Sequence, residues 1–118
     1  MKILILFLLI NLSAFGQSYN CSNLPKKYNS YESAIKIIQS ASFEYKDYSN
    51  QFTSSWINSI AYYSCDKKTG YLILHAHNGK SYIHQGVPIN LWQGLKSANS
   101  KGRYYSNYIR GLYQFKIQ

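Results

Sequence analysis

The sequence predicts an α+β fold: a small antiparallel β-sheet with C-terminal helices packed on one face, preceded by an N-terminal helix–strand extension. Three observations predict it. Apolar residues recur at helical spacing in three separate stretches, they alternate with period two in the middle of the chain, and turn residues at Asp66–Gly70 and Asn78-Gly79 divide the alternating segments. The length of 118 residues suits one domain, and a composition 46% hydrophobic and 17% aromatic can form a core, which excludes a disordered tail.

The elements follow in order. Asn29 followed by Glu32 resembles a capping box and opens a helix whose stripe is Ala34, Ile37, Ile38 and Ala41. Phe43 and Tyr45 alternate with Glu44 and Lys46, a short strand. Alternation resumes at Trp56 and runs through Ile60, Tyr62 and Tyr63 to Cys65. Tyr71 to His77 is the next strand and Ser81 to Gln85 its return. Val87-Pro88 ends the strand run, because proline has no ladder donor and presets φ. Leu91, Trp92, Leu95 and Ala98 mark a second helix, in which Gly94 implies a close neighbour. Ser100-Lys101-Gly102 breaks it, and Tyr104, Tyr105, Tyr108, Ile109 and Leu112 fit a third helix ending at Gly111. Tyr113, Phe115 and Ile117 alternate with polar residues, as in a last strand.

The first 16 residues stand apart. Met1-Lys2 is a short positive start, Ile3–Ile10 an apolar run, and Ala14 and Gly16 are small residues placed for cleavage before Gln17, the three parts of a signal peptide. The apolar run is well short of the roughly 20 residues a membrane-spanning helix needs. A retained anchor is the alternative; lipidation does not fit, since Ser18-Tyr19-Asn20 precedes Cys21. The expected organisation is a signal peptide at 1–16, a helix–strand extension at 17–52 and a second unit at 53–118, with a periplasmic or extracellular destination and no transmembrane segment in the mature chain. Export would let Cys21 and Cys65, the only cysteines, bond, stabilising the fold by about 3–4 kcal/mol. Two buried thiols are the other reading. Two cysteines cannot supply a four-thiolate zinc site.

Charge is one-sided. The chain has 13 Lys and Arg against 4 Asp and Glu, and no acidic residue follows Asp66. Lys67, Lys68, Lys80, Lys96, Lys101, Arg103, Arg110 and Lys116 therefore supply the net charge of the mature chain. That imbalance suits an anionic partner such as nucleic acid, anionic glycan, a lipid headgroup or an acidic protein, an envelope protein included; a solvated basic surface without a partner explains it equally.

From Ser54 to Tyr113 the chain resembles a KTSC domain, the module found at the C-terminus of some lysyl-tRNA synthetases and as stand-alone bacterial proteins. The resemblance is carried by Ser54-Ser55 with Ile57 and Ile60, Leu72-x-Leu74, Gly79-x-x-Tyr82, Val87-Pro88, Leu95-x-x-Ala98-x-Ser100-x-Gly102, Tyr104-Tyr105 and Ile109. The chain departs from the family where it has His84 in place of the second tyrosine of Tyr-x-Tyr, Ala61 for glycine, Ala76 for an aromatic and Ser106 for asparagine. The resemblance implies structural roles for Tyr82, His84, Val87, Pro88, Ser100 and Gly102. It implies no catalytic residue; RNA binding has been suggested for the family.

The histidines are read through the hairpin register. A two-residue Asn78-Gly79 turn would place His75, His77, Tyr82 and His84 on one face. A three-residue loop with Gly79 left-handed pairs Ala76 with Lys80 and moves Tyr82 and His84 to the face of Leu72 and Leu74. The family pattern favours the second register, which splits the trio and makes His84 a partly buried, hydrogen-bonded stand-in for tyrosine. His75 and His77 then lack a third metal ligand, so no metal site is expected. No Ser-His-Asp order, paired carboxylates or phosphate loop is visible, so neither a cofactor nor a catalytic site is expected.

Among thirteen tyrosines most are expected to be structural. Tyr104, Tyr105 and Tyr108 interleave with Lys101, Arg103 and Arg110, a mixture suited to stacking on bases and contacting phosphates. Helical spacing assigns Tyr105 and Ile109 to the core. Lys101, Arg103, Tyr104, Tyr108 and Arg110 are the candidate binding residues. The expected function is a non-enzymatic binding module for a polyanion. The alternatives are a protein-interaction or structural domain at the cell envelope, and a small ribonuclease using His75 or His77.

Overall fold

Ser30 opens the first helix of the computed structural model, which describes residues 18–117; the expected signal segment at 1–16 lies outside the described residues. The Ser30 hydroxyl accepts a hydrogen bond from the Ser33 amide, so the cap sits one residue later than the Asn29 start expected from the capping-box spacing. Helix α1 (Tyr31–Ser40) consequently buries Ala34, Ile35 and Ile38, with Ile35 taking the place expected for Ile37.

Strands β1 (Tyr45–Ser49), β2 (Ile57–Ser64), β3 (Thr69–Ala76) and β4 (Ser81–Pro88) form one antiparallel sheet in the order β1-β2-β3-β4. Two helices follow, α2 (Ile89–Ser97) and α3 (Lys101–Tyr108). The hairpin between β3 and β4 takes the bulged register. Gly79 has φ +88°, its amide bonds the Ala76 carbonyl, and the Ala76 amide bonds the Lys80 carbonyl. Leu74 therefore faces Tyr82 and Leu72 faces His84. A second irregularity lets Gln85 and Gly86 stand opposite Tyr71 alone, with Gly86 at φ +68°.

Because side chains alternate, β2, β3 and β4 each contribute to two cores, while Tyr45 of β1 packs on one. One face carries Ile57, Ile60, Tyr62, Leu72, Leu74 and Val87, covered by Trp92 and Leu95 of α2 and by Tyr105 and Ile109. The C-terminal helices thus pack on one face, as expected. The other face carries Ile73 and Ile83 and is covered by Ala34, Ile35 and Ile38 of α1 with Phe115. The sheet is the middle of three layers.

Two expectations at the C-terminal end are corrected. Helix α3 stops at Tyr108, and Gly111 at φ +78° lies in the turn beyond it. The tail is no strand: a single bridge joins Gln114 to His84, Tyr113 packs in one core and Phe115 in the other. The segment crosses the β4 edge from face to face, so its period of two does not report a pleat. At the junction of α2 and α3, Ser100 also caps, its hydroxyl accepting from the Arg103 amide at 3.3 Å. The Ser-Lys-Gly segment starts α3 as well as ending α2.

Gly94 has the close neighbour its position implied. A Cβ there would lie 2.1 Å from the Tyr104 hydroxyl. The N-terminal segment is fastened by the Cys21–Cys65 disulfide, spanning 44 residues, and by the bridge of Asn20 with Ser42.

Two predictions follow from this packing. Replacing both cysteines by serine lowers the unfolding free energy by about 2–4 kcal/mol, read by urea titration of the oxidised proteins. Gly94→Ala destabilises by about 1–3 kcal/mol through its collision with Tyr104. In a Tyr104→Ala background the same change becomes stabilising by up to about 1 kcal/mol, because only the helix propensity of alanine remains.

Candidate functional site

The site forms where the segment leading into β2 meets the start of α3. The Ser54 hydroxyl accepts from the amides of Trp56 and Ile57 at 3.3 and 3.1 Å, curling this segment. His77 then ties it to the hairpin: its amide donates to the Trp56 carbonyl and its Nε2–H to the Ser54 carbonyl at 3.1 Å. Held in this way, the Trp56 indole lies on Gly102, where a Cβ would come within 2.6 Å of Nε1, and meets the Tyr105 ring edge-on at 5.7 Å. The Ser54-Ser55 and Ser100-x-Gly102 motifs, far apart in sequence, are thereby brought together around one indole.

Between them runs an open groove of about 490 Å³ lined by Ser55, Trp56, Ser100, Gly102, Arg103 and Ser106, among others. Its chemistry is one-sided. The first amides of a helix have no intrahelical partner, and here Ser100 satisfies only that of Arg103. Among the described residues the Trp56 Nε1–H makes no hydrogen bond, the lining hydroxyls can donate, and Arg103 and Lys101 add cations. Among the described residues no carboxylate lines the groove. Such a donor-rich surface at a helix start favours an anionic group.

The candidate binding residues divide. Arg103 lines the groove and Arg110 is exposed beyond α3. The Tyr104 and Tyr108 rings meet tilted by 50° with centres 4.7 Å apart, but Tyr104 is wedged on Gly94 and half-buried, whereas Tyr108 is 50% exposed. Lys101 also lines the groove, but its ammonium donates to the carbonyls of Lys96 and Ala98, both at 2.9 Å, and lies 5.0 Å from the Phe52 ring centre. It caps α2. The remaining late bases do not gather on one surface: Lys67 and Lys68 occupy the β2–β3 turn, Lys80 the opposite end of β3, and Lys96 pairs with Asp47 at 2.6 Å.

Asp47 escaped the sequence reading, as did the groove wall formed by Trp56. One Asp47 oxygen accepts from Lys96, from Trp92 Nε1–H at 2.9 Å and from Tyr45. Burial works to raise its pKa, but these bonds outweigh it and hold the carboxyl below its ordinary range. Only the acid–aromatic alternation of β1 hinted at it, and nothing in the sequence paired it with α2.

The histidines are separated. His75 donates from Nδ1 to the Ser81 hydroxyl at 2.6 Å and accepts at Nε2 from Gln39 of α1 at 3.1 Å, so both ring nitrogens are engaged. His84 is 8% exposed; its Nδ1–H donates to the Tyr113 carbonyl and its Nε2 accepts from the Tyr105 hydroxyl at 2.5 Å. This fixes the neutral tautomer. Tyr82 lies on the same face and is 38% exposed. Among the described residues no three His, Cys, Asp or Glu side chains come together as a metal site, and no helix is long and apolar enough to cross a membrane.

Comparison with known proteins agrees with these motifs. The KTSC domain family profile matches residues 53–113, more than half of the chain. The chain also resembles the crystal structure of a KTSC domain protein from Yersinia pestis, with 28% identity and a TM-score of 0.51, over 63% of this chain and 99% of that one. No curated protein matches. The protein belongs to the KTSC domain family.

Desolvation lowers the pKa of His84, and the Tyr113 carbonyl only partly opposes it. The ordinary value of 6.5 holds in the unfolded chain, so below it the unfolded state binds a proton the native state refuses. Stability is complete above that pH and falls as pH drops beneath it. His75, also lowered by burial, adds in the same direction. His84→Gln, which keeps a donor and an acceptor but does not titrate, flattens the fall when unfolding is measured across this range.

Proposed function

We propose that the protein is a non-catalytic binding module that takes an anionic segment of a polyanion, single-stranded nucleic acid being the best fit, in the Trp56–Arg103 groove. The supporting observation is the convergence of a half-buried indole, a guanidinium and helix-start amides in a groove that, among the described residues, holds no carboxylate. Bases stack on an aromatic ring whatever their identity, while phosphate meets the donors. The surface is narrower than the whole basic half of the chain, since Lys96 and Lys101 serve internal contacts. We also infer export to the periplasm or beyond: the first 16 residues read as a signal, and the Cys21–Cys65 bond suits an oxidising compartment.

A protein-interaction role at the envelope draws on different residues, Tyr108 and Leu112, which are 50% and 66% exposed at the end of α3. The two readings separate in one experiment. Trp92 is fully buried, so quenching of tryptophan fluorescence reports on Trp56. Single-stranded RNA is expected to quench it at low salt, with affinity falling steeply towards physiological salt. Arg103→Glu should weaken binding at least about tenfold, while Tyr108→Ala should leave it within about twofold. Absence of polyanion binding at low salt defeats the reading.

A further inference from the structure

A second cleft, of about 250 Å³, opens at the other end of the sheet, between the β2–β3 turn and the bulge of β4. Tyr63 and Tyr71 stand directly opposite each other across β2 and β3 and lean on Phe43, with ring centres 5.6 and 6.0 Å away. Both phenols are half-buried, and neither hydroxyl has a hydrogen-bond partner among the described residues. Burial raises the pKa of each, so both are neutral donors and acceptors.

Across the cleft, Asp66 turns one oxygen, Oδ1, to the amides of Lys68 and Thr69 and to the Ser64 hydroxyl. Those amide bonds hold its carboxyl below the ordinary value. Gln85, also in the lining, accepts from the Lys116 amide through Oε1, and its Nε2 makes no hydrogen bond among the described residues. Gly86, at φ +68°, has no side chain to close the rim.

This lining differs in kind from the Trp56 groove. It combines aromatic edges with neutral donors, neutral acceptors and a fixed carboxylate, and the carboxylate repels an anion. A polyhydroxylated neutral ligand matches it, because each hydroxyl both donates and accepts while the ring's C–H face rests on aromatic carbon. We propose that the cleft formed by Tyr63, Tyr71, Asp66 and Gln85 binds one ring of a neutral saccharide.

The test is amide shift mapping of the full chain by NMR during titration with cellobiose, maltose and N,N′-diacetylchitobiose. At least one sugar is expected to give saturable shifts centred on Thr69, Gly70 and Gly86. Tyr71→Phe combined with Gln85→Ala removes hydrogen-bonding groups while keeping the ring, and should weaken that binding about tenfold. If that pair disturbs the fold, Tyr63→Phe serves in its place with a smaller loss. Arg103→Glu leaves sugar binding unchanged, so failure here is distinct from failure of the polyanion reading. No saturable shift with any of the three sugars, shifts centred elsewhere, or unchanged affinity in every cleft variant overturns the proposal.

Discussion

Gly79 holds the register on which the rest of the structure depends. With φ at +88° it places one extra residue in the turn, so that Ala76 rather than His77 pairs with Lys80. A slip by one residue would exchange every inward and outward side chain of β4. Ile83 would leave the α1 core, and His84 would lose Tyr105 and the Tyr113 carbonyl. The bulge at Gln85-Gly86 then adds one residue of its own, which returns Val87 to the face of Leu72. Two glycines with positive φ thus decide which face each half of one strand serves.

On that register, each layer is fastened by a polar contact as well as by apolar burial. Asp47 of β1 binds Trp92 and Lys96 of α2. His84 of β4 binds Tyr105 of α3 and the tail, and His75 of β3 binds Gln39 of α1. Such bonds contribute about 1 kcal/mol each, but removing one partner of a buried pair costs more, because the other is stranded away from water. Among the described residues every buried side-chain nitrogen or oxygen has a partner. The histidines therefore belong to the architecture, and the neutral tautomer of His84 gives the fold its sensitivity to acid.

The basic character of the chain has a similar internal component. A net charge of +9 suggests a broad cationic surface, yet Lys96 neutralises Asp47 and Lys101 offsets the carbonyl end of α2. What remains near α3 is Arg103, which lines the groove beside Lys101, and Arg110, which does not. The number of cations thus overstates the electrostatic surface; their placement beside Trp56 is what gives the groove its chemistry. The two clefts, one rich in donors and one mixed, lie at opposite ends of the same sheet and call for different ligands.

Much of this was legible in the residues. The strand read between Trp56 and Cys65, the turn at Asp66–Gly70, the helical stripe of Trp92 and Leu95 and the crowding at Gly94 are local signals, because strand pleat, turn φ and helix pitch depend on near neighbours. The cysteine pair and the burial of Tyr105 and Ile109 were readable on the same terms. Tertiary contacts decided the rest. Nothing local says that α1 takes the face opposite α2 and α3, that Phe115 crosses the β4 edge to join it, that Lys101 caps a helix, or that Trp56 settles on Gly102. Those outcomes depend on which surfaces were left uncovered once the sheet had formed, and that depends on residues distant in the chain.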